Sequence, residues 1–511
     1  MRDRPHIVLF VVDQLSALFL RAYGHPVTRT PVIDSLAEGG VVFENAYCPS
    51  PLCAPARAAL VTGTLPSRNG VYDNSAELPA SLPTFAHILR LEGYRTCLSG
   101  KMHFVGPDQL HGFEERLTTD IYPGDFGWTP DWSRPDERVD WWYHNMSSVK
   151  EAGVAEITNQ LEFDDEVTFH SVRRLYDFAR FERDAPLFLC VSFSHPHDPY
   201  VARRRYWDLF RDDEIDLPAV PRKPYGELDP HERRLWRASA MDEVEITDDD
   251  VRAARHGYYA NLNYVDERIG EVLAALEACD LAESTVVMFV SDHGEFLGEH
   301  GLFYKMSFRE HPARVPFLVY APWRFRSRRV REPVSLVDLC PTLADLARPG
   351  LSGELPRAVD GRGLVPLLDG SAEDPNATVL GEYLAEGVSG PMVMIRRARW
   401  KLIHTASDPD QLFDLESDPE ELRNLAEDAG HAKVVDDFRA DVARLWDLGA
   451  IDRDVRESQQ ARLTVFRALQ QGTIHPWDFQ PARPAAERYT RNTMDVAQRD
   501  QQSRFPPLRT R

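Results

Sequence analysis

From residue 6 to about residue 345 the chain alternates short, continuous apolar runs with stretches of helical periodicity. Val41–Ala46 and Tyr94–Ser99 read as strands, and the runs Ile7–Val12, Leu187–Ser194 and Thr285–Ser291 are too short for most helices and too apolar for half-exposed strands. The latter runs read as strands buried on both faces. Helical segments separate them. Thr30-Pro31 opens one, with proline at the first helical position, and Gly39-Gly40 closes it. Leu82–Glu92 ends at Gly93, and a long helix is predicted from about Val251 to Ala278. Buried strands joined by helices predict an α/β domain in which helices sandwich a large, mixed but mostly parallel sheet.

The pattern changes after about residue 370. Met392–Ile395 and Trp400–His404 flank a basic turn and predict an antiparallel hairpin, Leu412–Leu415 can add a strand, and Ala432–Leu448 reads as a helix. The chain therefore divides into an α/β domain over 1–370, a small α+β subdomain over 371–450 and a tail over 451–511. The tail is rich in Arg, Gln and Pro, yet Trp477, Phe479, Tyr489 and Phe505 give it anchors for docking on the body or on a second subunit.

The formal charge is −22, from 59 basic and 81 acidic residues. General binding to nucleic acid or to a membrane surface needs a basic face, so neither is expected. No apolar run approaches the ~20 residues of a membrane span. Ile7–Val12 is too short for a signal-peptide core and no small-residue cleavage site follows it, so a cytoplasmic protein is expected. The six cysteines are then not expected in disulfides. Cys97, Cys190, Cys279 and Cys340 lie in apolar or helical stretches, as small core residues do.

Four of the five strands predicted for the α/β domain end in a reactive cluster. Asp13-Gln14 follows the first, Lys101 and His103 another, then His195, His197 and Asp198, then Asp292-His293. One such residue is usually a turn residue; four clusters together mark a site at the carboxyl edge of the sheet. Cys53-Ala54-Pro55-Ala56-Arg57 opens a helical stretch that Gly63 closes. A cysteine there faces the positive end of the helix dipole and free N–H groups, which suits an anionic group on its side chain, and Arg57 lies one turn on.

Together these motifs resemble the sulfatase family. Cys53 through Arg57 match its C-x-P-x-R signature, with Ala56 where serine is usual, and Thr62-Gly63 continue it. Lys101-Met102-His103 matches the K-x-H pair and His197-Asp198-Pro199 the H-x-P element. Ser291-Asp292-His293-Gly294 matches S-D-x-G, and Lys305 follows. Leu412–Leu415, Asp418-Pro419 and Asn424-Leu425 resemble the C-terminal signature. The resemblance covers about residues 5 to 430. It implies that a maturation enzyme oxidises Cys53 to formylglycine. It implies one divalent metal ion held by Asp13, Asp292, His293 and the modified Cys53. It also implies a catalytic set of Cys53, Arg57, Lys101, His103, His197 and Lys305, with His197 protonating the leaving alcohol and His103 assisting sulfate release. Gln14 and His293 stand where many sulfatases carry Asp and Asn. Calcium is the expected ion, and manganese is the alternative, because imidazole suits softer metals.

Within the family, residues 48–72, 98–119 and 192–204 look most like the choline sulfatases. So does the block 122–143, with Phe126, Trp128, Trp132, Trp141, Trp142 and Tyr143. A quaternary ammonium cannot donate a hydrogen bond and is bound by aromatic faces, helped by a carboxylate. The expected reaction is hydrolysis of choline O-sulfate to choline and sulfate. The resemblance implies Trp128 and His144 in the ammonium pocket and Glu382 as its carboxylate. It adds Asp495, brought from a neighbouring subunit of a homo-oligomer (dimer or tetramer) built through the tail. One rival is a phosphonate monoester or phosphodiester hydrolase with the same Asp-Gln and Asp-His ligands; another is a catalytically inactive choline-ester binding protein.

Overall fold

Nothing polar interrupts Ile7–Val12, and the strand it forms, His6–Asp13, runs wholly buried through the middle of the molecule. It lies in an eight-stranded sheet, seen here in a computed structural model that describes residues 4–135, 138, 144–374 and 376–473. Trp141, Trp142, Tyr143 and the tail anchors Trp477, Phe479, Tyr489 and Phe505 lie outside the described residues. The strand order is Arg328–Val330, Val41–Phe43, Phe317–Tyr320, Thr285–Ser291, His6–Asp13, Leu187–Pro196, Arg95–Gly100, Glu115–Arg116. The last five are parallel, and Phe317–Tyr320 runs antiparallel to both its neighbours. The expected mixed, mostly parallel sheet is therefore present.

Alternation along Leu187–Pro196 shows how the helices divide. Phe188 meets Phe85 of the helix Phe85–Leu91, and Ser192 meets Arg57 of the helix Cys53–Thr62. His195, of opposite parity, meets Tyr264 of the helix Asp248–Ala278. Successive strand side chains point to opposite faces, so helices cover both. The long helix begins at Thr247, whose side chain accepts from Asp250 N. It buries Tyr258, Leu262, Val265, Ile269, Val272 and Leu276, a stripe at spacings of three and four.

Three sequence expectations need correction. Val41–Ala46 is not one strand: it turns at Glu44-Asn45 and continues as Ala46–Tyr47 in a separate three-stranded sheet. A 23-residue helix, Asn159–Phe181, passes unread because charged residues on its outer face dilute the apolar pattern. The expected helix Ala432–Leu448 stops at Leu445, where Trp446 is extended. Asp447 then caps a second helix, Leu448–Leu469, so the segment read as tail begins as ordered helix.

The small subdomain is a four-stranded antiparallel sheet, Thr378–Tyr383, Met392–Arg397, Trp400–Thr405 and Gln411–Asp414. Val393, Ile395 and Leu402 pack with Val435, Phe438 and Val442 of the helix Ala432–Leu445 in a second core. A buried ionic bolt fastens this sheet to the larger domain. Lys401 Nζ lies 2.8 Å from Glu310 and 2.6 Å from Glu421. Removing the cation from such a pair leaves buried carboxylates uncompensated. Lys401→Met should therefore lower stability by about 3–5 kcal/mol, read as a fall in the urea midpoint. A loss below about 1 kcal/mol would show that the bolt carries little.

Candidate active site

The nucleophile helix Cys53–Thr62 owes its position to small residues: Ala54, Ala56, Ala58 and Ala59 let every residue of the helix be buried. Leu52 offers no side-chain cap. Instead Asn74 Oδ1 accepts from Ala54 N at 2.9 Å, and Gly63, at φ 70°, ends the helix. Cys53 is thereby held at a helix N-terminus, facing the carboxyl ends of the parallel strands.

Four side chains converge there. Ligand atoms of Asp13, Cys53, Asp292 and His293 all lie within 4.8 Å of one another, and all four residues are buried. His293 Nε2 is 3.1 Å from Cys53 Sγ, 3.6 Å from Asp13 Oδ1 and 3.8 Å from Asp292 Oδ1. Its other nitrogen, Nδ1, donates to Gly294 O at 3.0 Å, which leaves Nε2 as the lone-pair end facing the carboxylates. Two carboxylates, an imidazole and an oxygen or sulfur at residue 53 make a donor set that fits a divalent metal. Strand ends approach one another so closely here that glycine is required: a Cβ on Gly100 would stand 1.9 Å from Ser192 O, and one on Gly294 1.9 Å from His311 O.

Cations balance the acids. Arg57 Nε donates to Asp292 Oδ2 at 2.7 Å, and its Nη1 donates to Lys101 O and Ser192 Oγ at 2.7 and 2.9 Å. Lys101 pairs with Asp13. Burial opposes ionisation of both members, but each partner's charge prevails: Asp13 is held well below the usual carboxylate range and Lys101 above the usual lysine value. Arg57 Nη2 and both ring nitrogens of His103 are buried with no hydrogen-bond partner, so this wall presents unspent hydrogen-bonding groups.

On the opposite side, Lys305 Nζ lies 2.8 Å from His197 Nε2, while His197 Nδ1 reaches Asp198 O at 2.8 Å. Burial, with Lys305 acting in the same direction, lowers the His197 pKa well below its ordinary value. Gln14 explains itself in this setting. Its Nε2 donates to Glu295 and, at 3.2 Å, to Asp198, while its Oε1 accepts from Lys305. A carboxylate at position 14 would face two acids with no proton to give; an amide serves both. Backbone strain gathers at the same rim, with Gln14, His103, Tyr304 and Met306 at φ of 62°, 55°, 68° and 66°.

Trp128 meets His103 edge-on at 5.9 Å and Tyr122 at 5.3 Å, and Tyr122 OH lies 3.2 Å from His197 Nδ1. His144 stacks obliquely on His197 at 5.4 Å, and burial and Lys305 bring its pKa down to about 4. Nine sequence-derived residues (Asp13, Cys53, Arg57, Lys101, His103, His197, Asp292, His293 and Lys305) thus share one cleft, with Trp128 and His144 on its wall.

Glu382 does not join them. Its carboxylate accepts from Ser67 N, Ser67 Oγ and Trp446 Nε1 at 2.7, 2.8 and 2.7 Å, which commits it to joining the small sheet to the main body. A second buried acid, Glu386, lies just beyond the strand and interacts electrostatically with Lys305 and Cys53. Burial pushes its carboxyl up to about 8; Asp73 and Cys53 push in the same direction and Lys305 opposes them. Sequence reading passes over Glu386 because no strand or motif marks it. Asp495 lies outside the described residues. No helix among the described residues is long and apolar enough to cross a membrane.

Comparison with known proteins agrees with this geometry. The sulfatase family model matches residues 5–349, and two others, described as N-sulphoglucosamine sulphohydrolase C-terminal and choline sulfatase enzyme C terminal, match 298–447 and 453–505. A choline-sulfatase of Rhizobium meliloti is 48% identical over 98% of this chain and 99% of its own length. Arylsulfatase K of Gallus gallus is 31% identical over 83% of this chain and 79% of its own. The crystal structure of the phosphonate monoester hydrolase of Agrobacterium radiobacter superposes with a TM-score of 0.68 and 26% identity, covering 86% of this chain and 95% of that one. Motif order, cleft geometry and these relatives agree, and the chain belongs to the sulfatase family.

Proposed function

We propose that this enzyme hydrolyses choline O-sulfate to choline and sulfate. The observation that carries the reading is the cluster of rings beside the catalytic histidines, where Trp128 stands 5.9 Å from His103 and 5.3 Å from Tyr122, and Tyr122 OH reaches His197; the buried acid Glu386 adds negative charge that a cationic substrate would offset. The relative from Rhizobium meliloti, named a choline-sulfatase, supports it. Tyr122 and His144 complete the rings around that space.

Asp13, Asp292, His293 and residue 53 would hold one divalent metal, calcium by family resemblance with manganese as the alternative that imidazole favours. When bound, that ion supplies positive charge to the sulfate and acidity to its ligands. Oxidised to formylglycine and hydrated, residue 53 supplies two hydroxyls on one carbon, one to attack sulfur and one to let sulfate leave. The remaining work falls to fixed side chains. Arg57 and the helix N-terminus orient residue 53. Lys101 and Lys305 flank the sulfuryl oxygens, where charge grows as the S–O bond to choline breaks. His197 delivers a proton to the departing alkoxide oxygen by drawing it from the Lys305 ammonium 2.8 Å away, since burial disfavours a resident charge on the ring itself. His103, with both ring nitrogens unspent, takes the proton from the second hydroxyl.

The phosphonate hydrolase neighbour favours a second activity on phosphodiesters or phosphonate monoesters, since the same cradle accepts a tetrahedral anion of either element. A higher kcat/KM on a phosphodiester than on choline sulfate would reverse the order of the two readings. Absence of turnover by matured, metal-loaded protein would instead favour a binding protein. A cytoplasmic location is part of the proposal, supported by six unpaired cysteines. So is a homo-oligomer through the tail, supported by the C-terminal family model that continues to residue 505.

Mass spectrometry of the Cys53 peptide from active protein should find formylglycine, and Cys53→Ala should lose activity by a factor of about a thousand or more. An active preparation holding only unmodified cysteine rejects the nucleophile. Elemental analysis should find about one divalent metal per chain, and His293→Asn should shift the retained metal toward calcium; unchanged metal preference speaks against His293 as a ligand. Trp128→Ala and Glu386→Gln should each raise KM for choline sulfate about tenfold or more and leave KM for an aryl sulfate much less changed. Equal effects on the two esters reject the cation pocket.

A further inference from the structure

The helix Leu448–Leu469 contributes nothing to the anion cradle, yet one of its faces grips the loop that carries Trp128. Arg456, Gln459, Arg462 and Phe466, spaced three, three and four apart, share that face. Arg456 donates to Trp132 O at 2.7 Å and to Ser389 O at 3.1 Å. Gln459 Oε1 accepts from Trp132 N at 2.9 Å, and the Phe466 ring lies against Gly127.

Arg462 reaches furthest inward. Its Nη1 and Nη2 donate to the two carboxylate oxygens of Asp73 at 2.6 and 2.7 Å, and Nη1 also donates to Thr129 Oγ1 at 3.1 Å. The arginine side chain is 8% exposed and the Asp73 side chain 0%. Such a two-pronged pair fixes orientation as well as distance.

Asp73 opens a three-residue hub. Its Oδ1 accepts from Ser75 N at 3.0 Å. Asn74 Oδ1 accepts from Ala54 N, in the first turn of the nucleophile helix, at 2.9 Å. Ser75 Oγ accepts from Trp128 N at 2.7 Å and donates to Asp125 O at 3.2 Å. One buried ion pair therefore stands between the C-terminal helix, the nucleophile helix and Trp128. Arg462 also balances the charge of Asp73, so that Glu386 is not one of two uncompensated acids on that side.

We propose that Arg462 is a positioning residue for the leaving-group side of the reaction: by clamping Asp73 and Thr129 it holds Trp128 against His103, and so lets the C-terminal helix set specificity for the alcohol half of the ester. The proposal rests on the reading of Trp128 as pocket wall.

The test uses the full-length, matured enzyme with Arg462→Gln, Arg462→Lys, Asp73→Asn and the Arg462→Gln/Asp73→Asn double variant. On choline sulfate, Arg462→Gln should raise KM about 10- to 100-fold with a smaller change in kcat. On an aryl sulfate the KM change should stay within about threefold. Arg462→Lys should recover part of the loss, because it restores the charge without the fork. The double variant should lose less than the sum of the single ones, since no buried charge is left alone. Acrylamide quenching of Trp128, obtained by subtracting the matching Trp128→Phe protein, should rise in Arg462→Gln. An unmoved Trp128 overturns the proposal whatever the ester. Where Trp128→Ala separates the two esters, equal losses on both in Arg462→Gln also overturn it. If Trp128→Ala fails to separate them, the cation pocket falls and the quenching result alone decides the positioning claim. Should Arg462→Gln not fold, Arg462→Lys carries the same two readouts.

Discussion

Two buried acids and two buried cations tie the strand ends together: Asp13 with Lys101, and Asp292 with Arg57. Each would be costly alone in a site closed to water, and each is stable only because its partner is there. The members come from the first strand, the nucleophile helix, the segment after Arg95–Gly100 and the segment after Thr285–Ser291. The lattice thus needs the sheet order to be right before it can form. Once formed, it places residue 53 among three further ligand atoms with no freedom to drift. A divalent metal adds positive charge where Asp13, Asp292 and residue 53 already concentrate negative charge.

Around that lattice the site separates into an anion half and an alcohol half. Apart from Lys305, which comes from the loop beyond Thr285–Ser291, the anion half is built from ends of main-sheet strands and one helix terminus packed on that sheet. The alcohol half is built from loops: Trp128 and Tyr122 from one, His144 beyond it, and Glu386 from the loop after Thr378–Tyr383. Strand ends vary little in position because ladder hydrogen bonds hold them, whereas loops can be exchanged. This division accounts for a 26%-identical phosphonate hydrolase sharing the fold while acting on a different ester. It places substrate choice outside the motifs that identify the family.

The legibility of the sequence follows the same division. Continuous apolar runs announce the parallel strands, and the polar residues at their ends are read at once, because a two-faced buried strand leaves no other place for them. Asp13, Lys101, His197 and His293 were accessible for that reason, whereas Cys53 and Arg57 were read from a helix start and Lys305 from the family resemblance. Glu382 shows where the method stops. It stands in a strand and is the carboxylate the resemblance implies, but it is satisfied by Ser67 and Trp446, over 300 residues before it in one case and 64 after it in the other. Its strand setting favours it over Glu386, which no strand or motif marks but whose buried carboxyl interacts with Lys305 and Cys53. The two longest helices that were missed, Asn159–Phe181 and Leu448–Leu469, have negative mean hydropathy and charged outer faces. Their helicity is sustained by the surface they cover, which sequence periodicity does not display.

The C-terminal helix sharpens this point. Arg456, Gln459 and Arg462 are polar, and on a sequence basis they belong on a solvated face. They are instead the helix's inward contacts, because what they cover presents the backbone carbonyl and amide of Trp132 and the buried carboxylate of Asp73, which apolar side chains could not satisfy. Covering an irregular loop demands hydrogen-bonding partners, whereas covering a sheet demands hydrocarbon. A polar helix packed on a polar loop costs more desolvation than an apolar contact of equal area and returns less stability. Its advantage is directional: bidentate and three-centre contacts fix Trp128 to within a narrow range of orientations. A ring that must present its face to a cation with no hydrogen bonds to offer depends on that orientation being set in advance by the protein.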